Sequence, residues 1–143
     1  MERERINPPS LFSHPFFTRV VTITGPSKFV FIAGLTAADK QYKCVAPGDY
    51  RAQYVNILQN LAVQLEAAAA TWDDVVFRRI YALDVDKFLE VQADTTTPLP
   101  WTPGSAPPST LIGVTRLSSP RFRSRNRSDG RYPGPSRGDL NED

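Results

Sequence analysis

Histidine and cysteine each occur once in 143 residues, and each scarcity closes off a class of chemistry. Any Ser–His–Asp or Cys–His pair would depend on His14, beside Pro15 in a proline-interrupted stretch where little regular structure is expected. A lone Cys44 excludes an intrachain disulfide framework and suits a reducing compartment, with the cytoplasm as the expected location. In a short strand it reads as a small buried hydrophobe rather than a nucleophile. No group of His, Cys and acidic residues has metal-ligand spacing, and no glycine-rich phosphate loop is present, so no cofactor is expected. No apolar run approaches the roughly 20 residues that span a bilayer. The start, Met1-Glu2-Arg3-Glu4-Arg5, mixes acids with bases and leads into no apolar run, so neither a secretory signal nor an acid-poor transit peptide is expected.

An excess of charge is also missing from most of the chain. The net charge is +2 and the pI about 8.8. From Arg121 onward six arginines face Asp129, Asp139, Glu142 and Asp143, which leaves eleven basic and eleven acidic residues in 1–120. The body is neutral and the basic character belongs to the tail, so a nucleic-acid groove on the folded domain is not supported. The 41% hydrophobic and 22% charged content fit one globular domain with a single core.

The pattern divides into an irregular arm over 1–15, a domain over 16–120 and an arginine-rich tail over 121–143. Arg19–Thr24 reads as a strand, and Gly25-Pro26-Ser27 as a turn into a second strand, Lys28–Ala33, so the two form a hairpin. A turn at Ala37–Lys40 precedes a short strand at Tyr42–Val45. Pro47-Gly48-Asp49 opens a long helix with Asp49 as its cap. Tyr54, Ile57, Leu58, Leu61, Leu65 and Ala68 recur at three- and four-residue steps and build its apolar stripe. Ala67–Ala70 offer no glycine where the helix stops, so an alanine near position 69 is expected to take a left-handed conformation at a cost of about 1 kcal/mol.

Val75–Leu83 reads as the next strand, with Arg78 and Arg79 on opposite faces. A shorter helix follows Asp84 through about Ala93. Prolines 98, 100, 103, 107 and 108 impose an extended loop, in which Trp101 is placed to shape substrate choice. Ser109–Thr115 is the last clear strand. This order predicts an α+β fold, with two helices packed on one face of a mixed sheet.

The ordered set resembles the RidA/YjgF family: Phe29–Gly34, then Gln53, Asn60 and Glu66 on the helix, Asp74-Val75-Val76, Tyr81–Asp84, and Pro107-Pro108-Ser109-Thr110-Leu111-Ile112-Gly113-Val114. This family, also described as L-PSP endoribonuclease-like, comprises small trimeric proteins of chorismate-mutase-like fold that hydrolyse reactive enamines and imines. The resemblance covers about residues 16–120. It implies a homotrimer with small-molecule sites between subunits, no membrane and no nucleic acid except through the tail. Gly34, Tyr81, Ser109 and Thr110 become the candidate substrate-binding residues. For Gly34 and Tyr81 a plainer reading is a close backbone approach and a packed aromatic.

The departures carry equal weight. Where the family places an arginine that grips a substrate carboxylate, this chain has Ser109, which has neither charge nor fork geometry. Arg78 or Arg79 could supply that grip. Where the family has a terminal strand reading roughly Glu-Ile-Glu-Ala, this chain has Arg121-Phe122-Arg123-Ser124-Arg125. Shifted forward by one nucleotide, codons compatible with Arg121 to Tyr132 can spell Gly-Phe-Gly-Val-Glu-Ile-Glu-Ala-Thr-Ala-Val, directly after the Leu117-Ser118-Ser119-Pro120 turn. A frame change near Pro120 is the expectation, and a sheet deprived of that strand is left with an unpaired edge. The functions in view are therefore hydrolysis, deamination or tautomerisation of a reactive enamine or imine, non-catalytic binding of a small metabolite, and RNA binding or cleavage.

Overall fold

The computed structural model describes residues 1–117. The tail, the turn ending at Pro120 and the displaced-frame strand lie outside the described residues. Within them two helices accompany two small sheets, an α+β arrangement as expected. One sheet pairs β1 (Glu2–Ile6) antiparallel with β2 (Val20–Thr24). The other pairs β3 (Arg78–Ala82) parallel with β4 (Ser109–Gly113), from Arg78 opposite Ser109 to Ala82 opposite Gly113. The helix α2 (Val85–Ala93) connects β3 towards β4, and α1 (Tyr50–Ala67) precedes both.

The helices begin where local chemistry dictates. The Asp49 carboxylate accepts the Ala52 N–H at 2.9 Å, and Asp84 accepts the Lys87 N–H at 3.1 Å, each satisfying a donor that the first turn leaves free. The α1 stripe then buries Tyr54, Leu58 and Leu65. Tyr54 and Leu58 join Ala82 and Phe88 in the core, with Ile80, Trp72, Trp101 and Leu111 packed around them. The Tyr54 ring meets Phe88 edge-on, its centroid 5.0 Å away, an arrangement that suits the ring quadrupoles. Side chains of β3 alternate accordingly, with 78, 80 and 82 turned inward and 79 and 81 exposed.

Three expectations are corrected. The arm is not wholly irregular, because Glu2–Ile6 forms β1. Its ladder with β2 is supported by ion pairs from Arg3 to Asp74 (3.5 Å) and Arg5 to Asp73 (3.3 Å). The second strand of the expected hairpin, Lys28–Ala33, is also absent: these residues pair with no strand among those described, and Phe29 and Phe31 stand 71% and 94% exposed. The short strand at Tyr42–Val45 reduces to a single bridge between Ala38 and Cys44. Strand propensity is realised only where a neighbouring backbone is present to pair with.

The end of α1 agrees with the sequence. Ala69 sits at φ 52, the Ala69 N–H donates to Glu66 O, and the Ala70 N–H donates to Leu65 O, both at 2.9 Å. These two bonds define a Schellman stop, which ordinarily carries glycine at this position. Ala69→Gly is therefore expected to raise unfolding stability by about 1 kcal/mol, measured by denaturant midpoint. A neutral or destabilising result would remove the strain argument.

Candidate functional site

A cavity of about 450 Å³ opens beside β3. Gly34–Ala37 form one wall, Arg79–Leu83 another, and Tyr50, Gln53, Tyr54 and Ile57 of α1 the floor. Val114, Arg116 and Leu117 lie where the chain leaves β4. The lining is mostly apolar, with two guanidinium groups and, among the described residues, no carboxylate, imidazole or thiol. Burial raises the Tyr54 phenol above its ordinary range. Tyr50 is raised too, by burial and then by the nearby Asp84 charge, so both hydroxyls stay protonated at neutral pH.

Behind the cavity, Tyr54 connects to a second constellation. Its hydroxyl accepts from Arg78 Nη1 at 3.3 Å. Arg78 Nε donates to Ser109 Oγ at 2.6 Å, Nη2 donates to the Phe16 carbonyl at 3.3 Å, and the guanidinium stacks 4.2 Å over the Trp101 ring. Ser109 Oγ in turn donates to the Pro107 carbonyl at 3.0 Å. Burial pushes the Arg78 guanidinium down from its usual range, with Tyr54 opposing the shift. No carboxylate lies within ion-pair distance of it among the described residues. The charge is held by neutral acceptors and an aromatic face.

The candidate residues separate accordingly. Gly34 and Tyr81 line the cavity. Among the described residues a Cβ at Gly34 would meet nothing within 4 Å, and Tyr81 is 50% exposed. Ser109 stands with Arg78 outside the cavity lining, and Thr110 is exposed one residue further along β4. Trp101 is also corrected, since it stacks on Arg78 and meets Trp72 edge-on instead of facing the cavity. His14 sits among Phe12, Phe16 and Phe17, accepting the Phe16 N–H at Nδ1. Burial raises the Cys44 thiol. Neither His14 nor Cys44 reaches the cavity.

Sequence reasoning missed Arg116 and Tyr50. No spacing rule links them to Tyr81, because the chain's path after β4 brings Arg116 to the cavity mouth. Arg78 and Arg79 were separable only as a pair on opposite faces. The structure turns Arg78 inward to Ser109 and leaves Arg79 at the cavity.

Comparison with known proteins agrees with this frame. The family described as endoribonuclease L-PSP matches over residues 13–123, and the chain belongs to that family. A crystal structure of YyfB from Yersinia pestis, a protein of unknown function of the conserved Rid family, is similar at 26% identity and a TM-score of 0.65. The match covers 85% of this chain and 92% of that one. Rv2704 of Mycobacterium tuberculosis, described as a member of the YjgF/YER057c/UK114 family, matches at 27% identity and a TM-score of 0.48, over 84% and 91% of the two chains. No curated protein matches the chain. Among the described residues no helix is long and apolar enough to cross a membrane.

The Arg78 arrangement makes a specific demand on geometry. Arg78→Lys keeps the charge but loses the Nε bond to Ser109 and the flat stacking surface. It is expected to cost about 1–3 kcal/mol in chemical unfolding. Tyr54→Phe, which removes only the Nη1 acceptor, is expected to cost about 1 kcal/mol. Equal stability of all three proteins would mean that Arg78 does not anchor β3 to α1.

Proposed function

We propose that this Rid-family chain captures a small anionic metabolite of the enamine or imine class in the cavity beside β3, and holds it without turning it over. The observation that carries this reading is the lining: two arginines and a protonated tyrosine pair on apolar walls, with no acidic group among the described residues. Arg79 and Arg116 supply charge and directional donors for a carboxylate, while Ile57, Ala82 and Phe88 suit a small apolar body. Imine hydrolysis needs a group that positions or deprotonates water. Among the described residues no carboxylate or imidazole lines the cavity to deprotonate that water, so capture is favoured over hydrolysis, deamination or tautomerisation. The homotrimer that the resemblance implies, and the cytoplasmic location expected from the lone cysteine, belong to the same proposal.

Stable 2-oxo acids are suitable probes, since they present the carboxylate and planar carbon of a 2-imino acid without its reactivity. They are expected to raise the melting temperature in a concentration-dependent way. Arg79→Ala and Arg116→Ala should each weaken binding about tenfold. Ammonia release from enamines generated in place should run no faster with the protein than without it. Protein-dependent ammonia release, lost in the arginine variants, would replace capture by catalysis. Sedimentation at three times the 15.9 kDa chain mass checks the assembly.

A further inference from the structure

The two cations that line the cavity stand at opposite ends of it. In the β3–β4 register Arg79 lies opposite Thr110 and Ala82 opposite Gly113. The Val114 N–H still reaches Ala82 O at 2.9 Å, and Arg116 follows two residues later. Arg79 therefore sits at the start of β3 and Arg116 past its end. The four strand steps from Arg79 to Leu83 that form this wall cover about 13 Å. The Arg79 guanidinium leans further outward, 5.8 Å over the ring of Phe77, which precedes β3. The floor runs along the same axis. Tyr54 lies beside Arg78 at the start of β3, its hydroxyl accepting from Nη1 at 3.3 Å. Tyr50, one helical turn earlier, lies near the Asp84 charge just past the strand. Between the two ends Ala82 and Phe88 give the cavity an apolar middle. Among the described residues neither Arg79 nor Arg116 has an ion-pair partner.

We infer that the captured metabolite is a dianion with its charges at the two ends of an unbranched chain, the imine or enamine of a long 2-oxo dicarboxylic acid. This rests on the metabolite reading above and narrows it to one substrate class. One carboxylate cannot bridge two guanidinium groups placed at opposite ends of the cavity, so a monocarboxylate leaves one of them without a counter-charge. A second carboxylate at the far end of the ligand supplies it. The methylenes between the two lie along the apolar middle, where burial favours them over water. The protonated Tyr50 hydroxyl adds a polar group at the Arg116 end.

The test is calorimetric titration of the full chain with 2-oxoadipate and with 2-oxohexanoate, probes of equal chain length whose far ends are a carboxylate and a methyl group. The diacid is expected to bind at least about tenfold more tightly. In Arg79→Ala and in Arg116→Ala, both at exposed positions, the two probes should bind alike. Lys40→Ala removes an exposed cation outside the cavity lining and should keep the preference, which separates paired recognition from general attraction of a dianion. Equal binding of the two probes by the unsubstituted chain overturns the dianion inference and leaves the metabolite reading standing. A preference that survives the loss of either arginine, or that disappears with Lys40, does the same. Binding of neither probe refutes the metabolite reading and this inference with it.

Discussion

A strand satisfies its backbone only through its neighbours, and among the described residues β3 has one neighbour where a central strand needs two. The remaining architecture follows from that interrupted ladder. Among the described residues the sheets are two pairs rather than a single surface, Phe29 and Phe31 are exposed, and a cavity lies beside the second edge of β3. The core on the helical side is nevertheless complete. Tyr54, Leu58, Ala82 and Phe88 pack together, and Thr18, donating to Ala106 O at 2.7 Å, ties the β1–β2 pair to the proline-rich loop.

The same edge brings the functional groups together. Arg79 and Tyr81 share one face of β3, and Arg78 occupies the other. One strand therefore divides its cations between an open cavity and a buried contact with Ser109. A buried guanidinium is costly without compensation. Three neutral acceptors and the Trp101 face provide it, which makes Arg78 a strut between β3, β4, α1 and the segment around Phe16. Among the described residues Arg79 has no such hydrogen-bonded network; its guanidinium lies 5.8 Å over the Phe77 ring and the residue lines the cavity. Ser109 thus keeps a guanidinium beside it, delivered from the adjacent strand.

What could be read in the sequence was mostly local. The Asp49 cap, the α1 stripe and the left-handed Ala69 depend on residues within a few positions of one another, and the structure shows each. The Glu2–Ile6 strand was hidden because Glu-Arg-Glu-Arg carries no apolar alternation. Its support comes from β2 and from Asp73 and Asp74, some 70 positions away. Lys28–Ala33 failed in the opposite direction, having strand-forming residues without a strand to join among the described residues. At the site, Gly34 and Tyr81 could be named from family resemblance, whereas Arg116 reaches the cavity only through the course of the chain after β4.

Amide hydrogen exchange in the unliganded full chain tests the open edge most directly. Ile80 and Ala82, which face β4, should exchange slowly, while Arg79 and Tyr81 should exchange close to the rate of unpaired amides. Protection of all four to the same degree would show that β3 is already flanked on both sides, and the interrupted-sheet account would be contradicted.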